Sequence, residues 1–158
     1  MTHQEFIKTY SEDVILATNY TPLFPSVMMA QAALETGWGN STIGVAKNMF
    51  GMKAAGTTNQ YWKGGYILAK TIEEINGVNQ TIQAKFRTYL SYQDSIKDHN
   101  NLLMTLARYK PVRDAKTPEE QALALQSSGY ATDTGYANKL INIINSNNLK
   151  SLDLKKKL

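Results

Sequence analysis

The chain has 158 residues, of which 42% are hydrophobic and 19% charged, a balance typical of one globular domain with a substantial core. No apolar run approaches the ~18 residues of a membrane span, so membrane insertion is not expected. The chain has no cysteine, which excludes disulfides and thiolate metal sites. Its two histidines, His3 and His99, are too few for a zinc site, and we expect neither a metal nor a cofactor.

The net charge of +4 favours anionic partners, among them nucleic acid, acidic lipid and anionic cell-wall polymers. The basic residues are scattered apart from Lys155 to Lys157, and we interpret residues 151–158 as a frayed, solvated tail. A nucleic-acid site is therefore not expected. The polar residues Thr2 to Glu5 contain no signal peptide, so export would require earlier processing, another route or phage release. We expect a monomer.

The first two predicted helices bring a carboxylate to an unfavourable position. A capping box at Thr2 starts a helix over about residues 3–18, and Pro25 starts a second helix that Gly37 ends. Glu35 lies on the last turn of that second helix, among apolar side chains and at the negative end of the helix dipole. Both surroundings favour the protonated carboxyl, which a general acid requires near neutral pH. The alternative is a surface glutamate at a helix end.

The pattern then changes to that of a β-hairpin over about residues 66–89. Asn76-Gly77 is the strongest short-range signal for a two-residue hairpin turn. That turn sets the strand register, which puts Glu73 on the apolar face and Glu74 on the opposite face. A one-residue bulge would exchange the two faces.

The other segments are predicted to be helical or short loops. A helical turn is expected over residues 41–47, a loop over 54–65, and a helix that runs from Ser91 to about Arg108. Further capping residues are expected at Thr117 and at Asp133 or Thr134. The chain is thus predicted to form one α+β domain over residues 1–150, mostly helical, with the hairpin as the other wall of a cleft.

Four blocks of sequence resemble glycoside hydrolase family 73, the bacterial N-acetylglucosaminidases that cut peptidoglycan. In chain order they are Ala33–Ser41, Lys47–Lys53, Ala84–Tyr89 and Gly129–Leu140. Thr36 stands where the family usually has serine, and Thr134 where it often has proline. The resemblance implies a lysozyme-like fold with Glu35 as the acid. It also implies a second carboxylate at Glu73, which matches the family's Thr-x-Glu motif in the hairpin.

The resemblance leaves the catalytic roles open. Glu73 as a general base that activates water predicts inversion, with carboxylates roughly 6.5–9.5 Å apart. Alternatively the acetamido oxygen of the sugar attacks and one acid suffices. The alternative to any catalytic role is that Glu73 is a solvent-facing hairpin glutamate. The resemblance also places a tyrosine hydroxyl at the catalytic centre, for which Tyr130 and Tyr136 are the candidates. Tyr136 equally fits the buried stripe of the last helix.

Seven further residues are expected to contact the glycan: Trp38, Asn48, Phe50, Trp62, Arg87, Tyr89 and Asp133. The aromatic rings offer flat faces for stacking on sugars, and Trp62 in its Gly-rich loop is expected to be an exposed platform. For Trp38 and Phe50, packing is the alternative role. Asn48 either binds an acetamido group or holds its loop, and Arg87 either orients a carboxylate or caps the hairpin. Asp133 is a helix cap before it is a catalytic residue.

These expectations lead to a peptidoglycan hydrolase that acts at the bacterial cell wall on glycan strands. The specific hypothesis is an endo-β-N-acetylglucosaminidase that cleaves the β-1,4 bond between N-acetylglucosamine and N-acetylmuramic acid. A muramidase or a lytic transglycosylase acting on the same polymer is the nearest alternative. A wall-binding module of the same fold without catalysis is the alternative of another class.

Overall fold

The computed structural model describes residues 1–41 and 45–158, so part of the helical turn expected over residues 41–47 lies outside the described residues. The described residues form seven α-helices and one two-stranded antiparallel sheet, which confirms the predicted α+β class. The helices are α1 His3–Thr18, α2 Pro25–Thr36, α3 Tyr92–Thr105, α4 Lys110–Asp114, α5 Pro118–Ser127, α6 Tyr136–Ser146 and α7 Lys150–Asp153. The strands are β1 Tyr66–Ile75 and β2 Val78–Arg87. Within the described ranges, no helix is both long and apolar enough to cross a membrane.

Helix α2 is the central helix of the body, and its bounds confirm the predicted start and end. It packs against α1, α5, α6 and α7, and the side chains of Met28, Gln31 and Ala32 are fully buried. Gly37 ends the helix in the left-handed conformation at φ 56°, which costs a glycine little. The last turn of the most buried helix therefore holds Glu35 in a fixed place.

The hairpin has the predicted turn and register. Asn76 and Gly77 both have positive φ, at 53° and 78°, as a type I′ turn requires. Glu73 pairs with Gln80 across the strands, so no bulge exchanges the faces. At its base the hairpin joins the helical body through a bridge between Lys53 and the buried Phe86.

Two predicted helix ends are wrong by a few residues. Helix α3 ends at Thr105 rather than near Arg108, because Leu106 is extended. The N-cap of α6 is Gly135, which has no capping side chain, and the Gln126 side chain accepts the Ala137 N–H in the first turn instead, at 2.8 Å. The Asp133 carboxylate accepts the Gly135 N–H at 2.8 Å, in a local turn that comes before the helix.

The frayed C-terminal tail expected over residues 151–158 is also wrong. The Lys156 ammonium donates to two backbone carbonyls of the α1–α2 turn, at 2.8 and 3.0 Å, and Leu152 is buried against the body. Asp153 accepts hydrogen bonds from the backbone N–H and the hydroxyl of Ser26, in the first turn of α2. The tail docks because this anionic side chain satisfies the positive N-terminus of the central helix.

Candidate active site

A cleft of about 830 Å³ lies between the hairpin and the helical body. Its walls are the last turn of α2, the loop over residues 50–59, the hairpin, the end of α3 and the segment over residues 129–136. Glu35 and Glu73 both line it, as do Tyr130 and Tyr136. The fold thus brings together all four residues that the sequence predicts to be catalytic.

Glu35 is half-buried and has its carboxyl at the cleft surface. Burial raises its pKa from 4.5 to about 7, and the negative charge of Glu73 adds to that rise. No residue of the described ranges donates a hydrogen bond to this carboxyl. At neutral pH about half of the molecules therefore hold a proton there that no described partner retains, as a general acid requires.

Gly51 makes the room that the Glu35 carboxyl occupies. A Cβ atom at this position would lie 2.8 Å from Oε2 of Glu35, closer than van der Waals contact allows. Gly51 also has a φ of +62°, which disfavours any residue with a side chain. The sequence marks Gly51 only as part of a resembling block and does not show this contact.

Glu73 is held as an anion at the cleft. Its carboxylate accepts hydrogen bonds from the Lys53 ammonium at 2.5 Å and from the Thr132 hydroxyl at 2.7 Å. Burial acts to raise its pKa, but these two hydrogen bonds and the Lys53 charge outweigh burial and place the pKa below its usual value. The site therefore combines a carboxyl that is still partly protonated at neutral pH with a carboxylate that is not, which is the arrangement that acid and base roles require.

The tip of the hairpin is attached to the opposite wall. Thr132 accepts the backbone N–H of Glu74 at 3.1 Å, while its hydroxyl binds Glu73. The backbone N–H and the hydroxyl of Thr134 each donate to the Glu74 carboxylate at 3.3 Å. The two adjacent glutamates thus both serve the site, one inside the cleft and one as the attachment of the hairpin.

Tyr130 and Tyr136 form an aromatic wall beside Glu35. Their rings stack with centroids 5.8 Å apart, and the Tyr136 hydroxyl accepts a hydrogen bond from the Gln31 amide at 2.9 Å. Burial raises the pKa of both hydroxyls, and the Glu35 charge adds to it, so both stay protonated. Tyr136 is almost fully buried, as its place on the stripe of α6 predicts, and Tyr130 is the more exposed of the two.

Three of the seven predicted binding residues line the cleft, namely Phe50, Arg87 and Asp133. Phe50 stacks on the buried His99 ring at 3.7 Å, and burial lowers the pKa of His99 to about 4, so the histidine is neutral. Arg87 orients a carboxylate, as one of its two predicted roles requires, and that carboxylate belongs to Asp98, 2.7 Å away. The Asp133 carboxylate accepts a hydrogen bond from the Gly135 backbone N–H and forms an ion pair with the Lys139 ammonium.

The other four predicted binding residues are engaged elsewhere. Trp62 is only 5% exposed, because the Arg87 guanidinium covers its ring at 4.1 Å, and the expected exposed platform is therefore wrong. Trp38 stacks on His3 at 3.7 Å, away from the cleft. Asn48 holds its loop through hydrogen bonds with the backbone, and the Tyr89 hydroxyl donates to Asp98 at 2.6 Å.

Sequence reasoning missed the buried acid that organises one side of the cleft. Asp98 is 2% exposed and binds Arg87, Tyr89 and the Asn59 amide, the last at 2.8 Å. The sequence signal for this acid was the run of three polar residues over 98–100 within an amphipathic helix. All three side chains are buried in the structure. In the described part of the chain, no group of three or more potential metal ligands is present.

Comparison with known proteins assigns this chain to a family. The family model for glucosaminidase, described as mannosyl-glycoprotein endo-beta-N-acetylglucosaminidase, matches residues 11–149. Exo-glucosaminidase LytG of Bacillus subtilis is 37% identical over 156 residues, covering 95% of this chain and 53% of that protein. Peptidoglycan hydrolase FlgJ of Escherichia coli K12 is 40% identical over 144 residues, covering 88% of this chain and 45% of that protein. The chain therefore spans about half the length of these relatives.

Solved structures show the same fold. A peptidoglycan hydrolase mutant from Sphingomonas sp. A1 superposes with a TM-score of 0.81 at 34% identity, covering 96% of this chain and 99% of that one. The catalytic domain of the autolysin Auto from Listeria monocytogenes gives a TM-score of 0.77 at 35% identity, covering 96% and 87%. These neighbours confirm the lysozyme-like architecture, and the chain belongs to the glucosaminidase family, glycoside hydrolase family 73.

Proposed function

We propose that the chain hydrolyses peptidoglycan as an endo-β-N-acetylglucosaminidase, cutting the β-1,4 bond between N-acetylglucosamine and N-acetylmuramic acid. The observation that carries this proposal is the pair of carboxyls in the cleft, with the pKa of Glu35 raised to about 7 and that of Glu73 lowered. Family membership and relatives named as glucosaminidases and peptidoglycan hydrolases support the substrate. The place of action is then the bacterial cell wall, and the working unit a monomer.

In the proposed reaction, Glu35 donates its proton to the glycosidic oxygen as the bond to the anomeric carbon breaks. The ionised Glu73 stabilises the positive charge that develops at that carbon and removes a proton from the attacking water. The products are two shortened strands, one ending in a reducing N-acetylglucosamine and the other beginning with a free 4-hydroxyl on N-acetylmuramic acid. Glu73 then releases its proton to solvent, and Glu35 regains one from solvent. Tyr130 and Tyr136, which keep their hydroxyl protons, position the sugar beside the acid.

The stereochemistry separates the two possible roles of Glu73. A general base that activates water gives inversion at the anomeric carbon. Attack by the acetamido oxygen of the substrate gives retention and leaves Glu73 as an electrostatic stabiliser only. NMR of the first product formed from a glycan strand distinguishes the two, because the α and β anomers of the new reducing end have different coupling constants.

The decisive experiment is mass spectrometry of digested peptidoglycan, with the Glu35→Gln variant beside the parent chain. We expect muropeptides that end in reducing N-acetylglucosamine from the parent and at least a thousandfold less product from the variant. Reducing N-acetylmuramic acid would show a muramidase, and anhydro-muramic ends would show a lytic transglycosylase. Glu12→Gln, which removes the same charge from an exposed site on α1, is the matched control. Equal lysis by the parent and Glu35→Gln chains would contradict the assignment of the acid.

A further inference from the structure

Four cationic side chains line the cleft, and one of them is not neutralised. Three are ion-paired within the cleft: Lys53 with Glu73, Arg87 with Asp98, and Lys139 with Asp133. The fourth, Arg108, has no carboxylate within ion-pair distance in the described part of the chain. The cleft therefore has an uncompensated positive charge at one fixed place.

Arg108 is held where a ligand can reach it. It lies in a 3₁₀ turn after α3, over residues 107–109, and its side chain is exposed. Its guanidinium lies over the ring of Tyr109, 4.7 Å from the centroid, and that ring is 1% exposed. Tyr109 in turn packs against Tyr130 with centroids 6.2 Å apart. The guanidinium is thus supported by the same aromatic wall that flanks the acid.

The end of α3 adds neutral polar groups next to this cation in the chain. Asn101 and Thr105 lie four residues apart on one helix face, and both are exposed and line the cleft. The Thr105 hydroxyl donates to the Asn101 backbone carbonyl at 2.7 Å, whereas no described residue binds the Asn101 carboxamide. This section of the cleft therefore offers a planar cation and a carboxamide that the described protein leaves unused.

A carboxylate is the ligand that such a group recognises, because the guanidinium fork matches its two oxygens. N-acetylglucosamine has none. The muramic residue has a lactyl carboxylate, free on a strand without peptide, or carboxylates on the stem peptide that is amide-linked there. We propose that Arg108, with Asn101 of the same cleft wall, binds a carboxylate of a muramic residue in the bound strand. This inference rests on the proposed function, since it requires that the cleft binds peptidoglycan strands.

The test measures binding rather than cleavage, so that it does not depend on the catalytic assignment. Glycan strands stripped of peptide by an amidase carry free lactyl carboxylates, which carbodiimide and methylamine convert to neutral amides. Calorimetry compares both strands with the Glu35→Gln chain and with the same chain that also carries Arg108→Gln. Lys110→Gln, which removes a cation two residues away that pairs with Asp114, is the matched control.

We expect the Glu35→Gln chain to bind the free carboxylate strand about tenfold more tightly than the amidated strand, and Arg108→Gln to abolish that ratio. Lys110→Gln should leave the ratio unchanged. A preference seen only between intact, peptide-bearing strands and their amidated form would assign the stem peptide as the source. Equal binding of charged and amidated strands, both for peptide-free and for peptide-bearing glycan, would overturn the proposal. So would a ratio that survives Arg108→Gln. Product analysis of the parent chain judges the proposed glycosidase activity separately.

Discussion

Replacing the proposed acid should make the protein more stable at alkaline pH while it loses activity. The pKa of Glu35 is raised from 4.5 to about 7 by burial and by the Glu73 charge. Between these two values the unfolded chain loses the proton and the folded chain keeps it, so the free energy of unfolding falls as pH rises. Above pH 7 Glu35 is ionised in both the folded and the unfolded chain, and the destabilisation is constant. Below pH 4.5 both are protonated and it vanishes.

The Glu35 pKa rises by about 2.5, and a rise of one corresponds to about 1.36 kcal/mol. The folded protein is therefore destabilised by about 3 kcal/mol above pH 7. Glu35→Gln keeps the size and shape of the side chain but cannot ionise. The variant should therefore match the parent at pH 4 and exceed it by about 3 kcal/mol at pH 8, or by about 6 to 12 °C in Tm.

Urea denaturation followed by circular dichroism at pH 4 and pH 8 measures this difference directly. The exposed Glu12→Gln substitution should change neither value by more than about 0.5 kcal/mol. A gain of equal size at both pH values would show that the amide improves packing rather than removing a buried charge. No gain at pH 8 would refute the raised pKa, and with it the physical argument for Glu35 as the acid.

Three further predictions concern the groups around the acid. The kcat/KM for strand hydrolysis should fall above about pH 7 as Glu35 loses its proton. Glu73→Gln removes a negative charge that raises the Glu35 pKa, so in this variant the fall in kcat/KM should begin at a lower pH. Gly51→Ala should lower kcat at least tenfold, since its Cβ would lie 2.8 Å from the acid, whereas Gly37→Ala, with similar strain at φ +56° and open space, should retain activity. Normal kcat in Gly51→Ala would contradict this contact. Asp98→Asn should cost about 3 kcal/mol in urea denaturation by leaving a guanidinium unpaired, and a loss below 1 kcal/mol would contradict a structural role.

The amino-acid sequence by itself determined the local elements and pointed to Glu35, the residue that we propose as the acid. The Thr2 capping box, the stop at Gly37 and the Asn76-Gly77 turn each depend on residues within a few positions of one another, so a short pattern is sufficient. The hairpin register follows from its turn, which put Glu73 on the correct face. The same locality explains Glu35, because its helix terminus and apolar neighbours are all within one helix.

Only the tertiary structure decided which groups hold and surround that acid. Glu73 is ionised because Lys53 and Thr132, both distant in the chain, donate hydrogen bonds to it. No local sequence pattern predicts these contacts. Long-range packing likewise buried Trp62, which the sequence had placed in an exposed loop, and docked the tail expected to be frayed. Interactions between close neighbours are encoded in spacing, whereas burial and pairing across the fold depend on how all the elements pack together.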